Sequence, residues 1–505
     1  MSELARPSQS NKRRIPHRAR FNRNSHMPFD AANLFPILPE IAILVTASVV
    51  LVLDLYLKEK DKDINHTLTL IGLLVAIGLT GAVGGGDARV VFDGNVVRDG
   101  LTDLLRGAIL VVSLLAFVYA RPWLKDRGLF VGEFYVLGLF AILGMLIMVS
   151  ANSFLTIYLG LELQALSLYA LVAFDRDSKK GAEAAMKYFV LGALGSGMLL
   201  YGVSMIYGAT GSIEFGPVAQ AVAEQGMDNK VLVFGVVFLV IGVGFKFGAV
   251  PFHMWVPDIY EGAPTPAVLL LGSAPKIAAF ALAIRMLVDG LEAIQPDWQG
   301  MLLILAVLSM GLGNLVAIAQ TNIKRMLAYS TISHVGFIFL GLLAGSAQGY
   351  ASAMFYAIVY AVMSTGAFGI LLILSRKGFD AENLDDLKGL NDRDSWYAAM
   401  MALVMFSMAG VPPTVGFMAK LLVLESVVRI DLVWLALVAV AFSIIGAFYY
   451  LRVVKVIYFD KPDPDMPVLT TSGGVRFAMS LNGLSLLALG LFPATLLSWC
   501  QSVFV

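Results

Sequence analysis

The chain has 505 residues, 58% hydrophobic and 14% charged, with 36 basic against 36 acidic residues. Soluble domains carry about 25% charge, and zero net charge leaves no overall basic footprint for nucleic acid. Cys500 is the single cysteine, which excludes a disulfide framework, a cysteine-ligated zinc and an iron–sulfur cluster.

Residues 1–26 carry Arg6, Lys12, Arg13, Arg14, Arg18, Arg20 and Arg23 against the single acid Glu3. They lack the apolar centre of a secretory signal and read as a disordered basic extension. A single membrane domain is expected over 27–505. Within it, apolar runs fall near 38–57, 66–84, 101–120, 130–149, 152–174, 182–208 and 231–257. Seven more fall near 264–288, 300–320, 325–345, 350–375, 396–428, 432–458 and 475–500. Each can cross a hydrocarbon core about 30 Å thick. The fold class is an all-α polytopic membrane protein with about fourteen transmembrane helices.

Alternate loops differ in charge. One set holds Lys58, Lys60, Arg121, Lys125, Arg176, Lys179, Lys324, Arg325, Arg376 and Lys377, and the other little beyond Arg89, Arg98, Lys230 and Arg429. The positive-inside rule places the first set in the cytoplasm, and an even helix number then puts both termini outside. Seven basic residues on a translocated tail contradict that rule, which favours Met27 as the natural start.

Two helices are broken by proline, which removes a backbone donor and clashes with the preceding turn. Pro251 follows Lys246 in the seventh run, and Pro412-Pro413 precedes Lys420 in the twelfth. Interrupted hydrophobic segments at corresponding places in two halves point to an inverted-repeat transport fold, with repeats near 130–288 and 300–458. Irregular backbone at that depth is tolerated only where protein or water satisfies it.

Charged side chains inside a membrane are costly and mark functional sites by default. Glu162 lies at the centre of the fifth helix, as a functional carboxylate or half of a structural ion pair. Lys246 and Lys276 lie mid-helix, too deep to snorkel, either titrating or held in a permanently charged pair. An opposite charge at about 4 Å is worth about 4 kcal/mol at an effective dielectric of about 20. That decides whether a desolvated lysine holds its proton. Lys187, about one turn inside the sixth helix, can instead reach water. His253 and His334 are candidate proton relays or hydrogen-bonded packing residues. Lys420, with Glu425 near the helix end, is the exit-side candidate. Lys324 and Arg325 read as topology determinants, and Asp258 and Glu261 as helix caps. The histidines have no metal-ligand spacing and no glycine pattern marks a nucleotide site, so no cofactor or metal is expected in this chain.

The stretch from Gly244 through Lys246, Pro251-Phe-His253, Trp255, Pro257-Asp258, Tyr260 and Pro264 resembles the antiporter-like membrane subunits of respiratory complex I, the NADH-quinone oxidoreductase. Gly160-Leu-Glu162-Leu, Glu183-Ala-Ala-Met-Lys187-Tyr188, Lys276-Ile-Ala-Ala-Phe, Gln320-Thr-Asn-Ile-Lys324-Arg325, Tyr329-Ser-Thr-Ile-Ser333-His334 and Ala409 to Lys420 complete the pattern, from Pro36 to about Phe492. Lysine rather than glutamate at 420 argues against the M-type member, and the chain stops short of the long lateral helix of the L-type. The resemblance implies fourteen crossings in two inverted five-helix repeats, with discontinuous helices 7 and 12. It implies proton translocation, with Glu162 and Lys246 as the loading pair, Lys276 central, Lys420 linked to exit and Lys187 a motif lysine. FMN, iron–sulfur clusters and quinone would lie in partner subunits. Expected partners are neighbouring antiporter-like subunits, a lateral helix from the L-type subunit and phospholipids, in a bacterial inner membrane or an equivalent organelle membrane. The family shares its fold with multisubunit sodium/proton antiporters, so a secondary cation/proton antiporter subunit is the alternative. A structural spacer with untitrated charges is a third reading.

Overall fold

The computed structural model describes residues 31–462, 469 and 472–504. The basic extension over residues 1–26 lies outside the described residues. Among the described residues, 13 helical segments are long and apolar enough to cross a membrane. A further crossing is made of two short helices, which gives the expected fourteen.

Six crossings come first: α1 (Leu38–Asp54), α2 (Asp63–Val83), α3 (Gly100–Asp126), α4 (Gly132–Ser150), α5 (Phe154–Val172) and α6 (Lys179–Thr210). A short helix, α7 (Phe215–Gln225), leads to a seventh crossing shared by α8 (Lys230–Phe247) and α9 (Trp255–Gly262). The eighth is α10 (Thr265–Gly272) and α11 (Ala274–Ala283), and the next three are α12 (Gln295–Ile318), α13 (Ile323–Leu343) and α14 (Ala347–Leu374). One turn, α15 (Leu390–Arg393), precedes the twelfth crossing, α16 (Ser395–Ala409) and α17 (Val415–Val428). The last two are α18 (Val433–Phe459) and α19 (Gly473–Leu491), followed by α20 (Ala494–Ser502). A hairpin of β1 (Arg89–Val91) and β2 (Val96–Arg98), which the hydropathy pattern did not reveal, sits between α2 and α3.

Polar residues start the helices. Asp99, Ser153, Ser178, Asn322, Ser346 and Ser472 each accept a hydrogen bond from a first-turn backbone N–H, satisfying donors that a helix leaves free. The helices bury their faces unequally. α13 and α14 are enclosed almost all round, so their sequences are apolar on every side. By contrast α6 and α18 expose Leu194, Ile444 and Phe448, side chains suited to lipid or to a neighbouring subunit.

The two halves correspond element by element. α4 and α5 touch through Gly144 and Gly160, where an added Cβ would meet backbone atoms at 2.5 and 2.8 Å. α12 and α13 touch likewise at Gly313, whose Cβ would lie 2.7 Å from the Ser333 nitrogen. Ser153, which caps α5, pairs in an antiparallel bridge with Glu214 beyond α6, and Asn322, which caps α13, pairs with Asn383 beyond α14. Breaks follow in both halves, between α8 and α9 and between α16 and α17. Corresponding crossings, fourth with ninth and seventh with twelfth, run in opposite directions, as an inverted repeat requires.

Candidate functional site

Each half-helix ends on a glycine in the left-handed region: Gly248 at φ 76° after α8 and Gly410 at φ 84° after α16. Only glycine adopts this conformation without a Cβ penalty. The last helical carbonyl therefore ends inside the bundle without an intrahelical partner. In each half a lysine supplies one. Lys276 Nζ donates to the Phe247 carbonyl at 2.8 Å, and Lys420 Nζ donates to the Ala409 carbonyl at 2.9 Å. Phe247 is the final residue of α8 and Ala409 of α16. A helix C-terminus carries about half a negative charge, so both lysines sit where a cation is favoured without a carboxylate. The freed backbone is otherwise satisfied across the halves, the Val250 N–H donating to Ser309 of α12 at 2.9 Å.

Lys276 is 1% exposed, and its Nζ lies 5.5 Å from the centre of the Trp255 ring. It stands in the first turn of α11 because the eighth crossing is itself interrupted at Ser273, a break that the apolar pattern over 264–288 concealed. Lys246, one residue before the end of α8, is half-buried. Lys246 and Lys276 line one cavity of about 20 Å³ with Gln164, Tyr188, Phe245 and Trp255. That volume holds about one water.

Glu162 lies on α5, and one of its oxygens is buried without a hydrogen-bond partner. Among the described residues it makes no salt bridge with Lys246. The structure thus brings Lys246 and Lys276 to one cavity, with one oxygen of Glu162 unsatisfied.

Lys420, 9% exposed, also donates to Ser443 of α18 at 2.9 Å and lies 5.2 Å from the centre of the Phe337 ring. Glu425 pairs instead with Arg429 at the exposed end of α17, at 2.6 Å. His334, 3% exposed on α13, is held by two phenols: Tyr356 of α14 at 2.7 Å from Nδ1 and Tyr450 of α18 at 3.0 Å from Nε2. His253 lies in the turn between α8 and α9 with Nδ1 buried and unpartnered, and it does not line the lysine cavity.

Lys187 stands apart from the buried lysines. Its side chain is 43% exposed and pairs with Glu183 and Asp258, both at 2.9 Å. Asp258 and Glu261, read from sequence as helix caps, are ion-pair partners: Arg325 reaches them at 2.8 and 3.0 Å, and Lys180 reaches Glu261 at 3.2 Å. Lys324 is also more than a topology determinant. It is 1% exposed, pairs with Glu382 at 2.7 Å and donates to the Ala263 carbonyl beyond α9 at 2.9 Å. Sequence reasoning missed the partners Tyr356, Tyr450 and Ser443, which are hydroxyls within apolar runs. Their only signal is a polar atom at a position where the helix is otherwise apolar all round.

Residues 151–446 match the family model described as the NADH:quinone oxidoreductase/Mrp antiporter transmembrane family. The chain is 54% identical over 473 residues to NADH-quinone oxidoreductase subunit N of Thioalkalivibrio sulfidiphilus, covering 94% of this chain and 98% of the relative. It is similar to a chain of respiratory complex I from Thermus thermophilus with bound aureothin, with TM-score 0.79 and 32% identity over 91% of this chain and 99% of that one. A chain of the Mrp complex from Dietzia sp. DQ12-45-1b shares the fold, with TM-score 0.80 at 19% identity over 93% of this chain and 96% of that one. The chain belongs to the NADH:quinone oxidoreductase/Mrp antiporter family of transmembrane subunits, on the branch of the subunit N relatives.

Proposed function

We propose that this chain translocates protons as an antiporter-like membrane subunit of an NADH:quinone oxidoreductase, coupling electron transfer in other subunits to pumping. The observation that carries the reading is the pairing of Lys276 and Lys420 with the carbonyls that end two broken helices, in a chain 54% identical to a subunit N. A lysine there holds a proton through the helix dipole and gives it up when that end moves or a second cation approaches.

In this reading Glu162 and Lys246 control loading, Lys276 is the central carrier, the proton moves on by way of His334 to Lys420, and Lys420 is linked to exit. Lys187 and its ion pairs would couple the sixth crossing to α9, and His253 would act at the break. Residues 130–288 and 300–458 would be the two inverted repeats, with both termini on the periplasmic side of a bacterial inner membrane. FMN, iron–sulfur clusters and quinone would lie in partner subunits. A lateral helix from the L-type subunit and phospholipids would cover apolar faces such as that of α18.

Gentle detergent extraction and a native gel stained for NADH dehydrogenase activity test the assignment. Co-migration of this chain with the active band supports it. A separate inactive band under still milder extraction would make an independent cation/proton antiporter the better reading. In the assembled complex, Lys246→Ala is expected to abolish this subunit's pumping, and a normal proton-to-electron ratio would refute its role.

A further inference from the structure

Two adjoining cavities open where α3 ends and α19 begins. The larger, about 330 Å³, runs between these helices, with Leu114 and Val118 on one wall and Phe477 and Leu481 on the other. Phe477 is 70% exposed and Leu481 56%, so the groove opens on the apolar surface of the bundle. The second cavity, about 250 Å³, is lined by Arg121, Lys125 and Asp126 of α3 and by Arg376 just beyond α14. Arg121, Pro122, Ser472 and Val475 line both. The two therefore form one groove, apolar along its length and cationic at its mouth.

Its depth follows from helix rise. At about 1.5 Å per residue, Leu114 lies about 10 Å below Arg121, and Leu481 about 13 Å below Ser472 on the neighbouring helix. At the mouth, Asp63 of α2 serves two cations. It accepts from Nε and Nη2 of Arg121 at 3.0 and 2.8 Å and from Lys125 Nζ at 2.6 Å. A guanidinium has five N–H donors and an ammonium three, so this one carboxylate uses a minority of them. With Arg376 and Asp126 included, three positive charges meet two negative ones. That pattern, a positive mouth over an apolar slot, matches an amphiphile with a negative head. A helix about 10 Å across would need roughly 800 Å³ over a depth of about 10 Å, more than twice the apolar cavity, so a neighbouring subunit's helix fits poorly.

We propose that this groove binds one anionic phospholipid, its phosphate held by Arg121 and Lys125 and an acyl chain lying between α3 and α19. Hydrogen bonds from arginine or lysine to phosphate are charge-assisted and strong. Each cation near the membrane surface contributes about fivefold to the affinity for an anionic lipid. Below the head, the acyl chain covers Leu114, Val118 and Leu481, which water would otherwise meet. Lipid lying over an apolar face such as that of α18 needs no particular headgroup, whereas this site requires a net negative one. The lipid joins α2, through the cations that Asp63 holds, to α19, and so ties the second crossing to the last. It does so whether or not the chain moves protons.

The test uses the full chain in its native membrane assembly, purified in detergent and given phosphatidylglycerol with a photoactivatable diazirine in one acyl chain. After illumination, adducts are mapped by peptide mass spectrometry. They are expected on α3 between residues 114 and 122 and on α19 between 475 and 481. Unlabelled phosphatidylglycerol should compete, and phosphatidylcholine with the same chains should compete far less. Arg121→Gln/Lys125→Gln should raise the concentration for half-maximal labelling by about fivefold per charge removed. Asp63→Asn breaks the same ion pairs but keeps both cations, so it should label at least as strongly as wild type. Adducts absent from the groove, equal competition by phosphatidylcholine, wild-type labelling of the double variant, or loss of labelling in Asp63→Asn would each overturn the site. Should the double variant fail to assemble, Val118→Trp fills the groove without removing a charge. It should lose the adducts, and wild-type labelling there overturns the proposal equally.

Discussion

Replacing Lys276 by methionine separates a proton carrier from a structural cap. The change keeps the apolar stem and removes the ammonium. Two favourable interactions go with it. Phe247, itself 0% exposed, loses the donor to its carbonyl at 2.8 Å, and a buried acceptor left unsatisfied costs about 1–3 kcal/mol. The contact with the Trp255 ring at 5.5 Å is worth about 0.5–2 kcal/mol. Against a loss of about 1.5–5 kcal/mol stands the cost of burying an ammonium with no carboxylate beside it, several kcal/mol in a protein interior. The opposing effects are of similar size, so the variant is expected to fold and assemble with stability changed by no more than about 2 kcal/mol. Proton transfer through this position cannot survive, because a thioether has no proton to exchange. The assay is the proton-to-electron ratio of the purified complex in liposomes, alongside its thermal dissociation profile. A ratio equal to wild type, with Lys276→Met present in the assembled complex, would refute the carrier role and leave Lys276 as a helix cap.

Glu162→Gln preserves shape and removes the ionisable carboxyl of the proposed loading pair, so the proton-to-electron ratio should fall while complex yield on a native gel is retained. Arg106, 0% exposed, pairs with Glu40 at 2.5 Å; stranding one buried partner costs about 3–5 kcal/mol, whereas replacing both is often neutral. Heat stability should therefore drop for Arg106→Met and recover in Arg106→Met/Glu40→Leu, and equal losses in the two would contradict that account. At Gly160 a Cβ would meet backbone at 2.8 Å, while at Gly197 it would meet nothing within 4 Å. Gly160→Ala should lower thermal stability by about 1–3 kcal/mol and Gly197→Ala should not; matching melting curves would rule out the tight α4–α5 contact. Asp258→Asn weakens pairs with Lys187 and Arg325 that are 28–43% exposed, where solvent screens the attraction. The melting temperature should fall only slightly, and less in high salt, so a loss of several kcal/mol would show the network to be more enclosed than its exposure implies.

The crossings were legible because each had to be about 20 apolar residues long, and the two main breaks because Pro251 and Pro412-Pro413 interrupt such runs. Lys246, Lys276 and Lys420 were legible for the same reason: a lysine in the middle of an apolar run has no other reason to be there. Ser273 was hidden, because a serine followed by alanine and proline disturbs hydropathy little while still ending a helix. Tyr356 and Tyr450 were hidden because a tyrosine counts as apolar in such runs, and only the fold shows its hydroxyl turned onto His334. Partner choice was the least legible feature. The sequence left open whether Lys276 titrates or sits in a charged pair and named no partner for Lys420, yet both take backbone carbonyls, which no sequence pattern marks.

That choice recurs across the bundle. Lys324 donates to the carbonyl beyond α9, and Arg452 donates at 2.9 Å to Ile318, the last residue of α12. Four helix ends thus carry a cation from another helix, two at the breaks of the seventh and twelfth crossings, with Lys324 also keeping a carboxylate partner in Glu382. A carboxylate partner can lose its charge by taking a proton, whereas a carbonyl at a helix end cannot. The attraction it offers changes only when the half-helix moves. A lysine held this way is tied to the position of the helix end, so displacing α8 or α16 by the length of one hydrogen bond releases the hold on its proton. In the proposed translocation role, movement of these two helix ends would therefore reach the lysines directly, beside any effect of the Glu162–Lys246 pair.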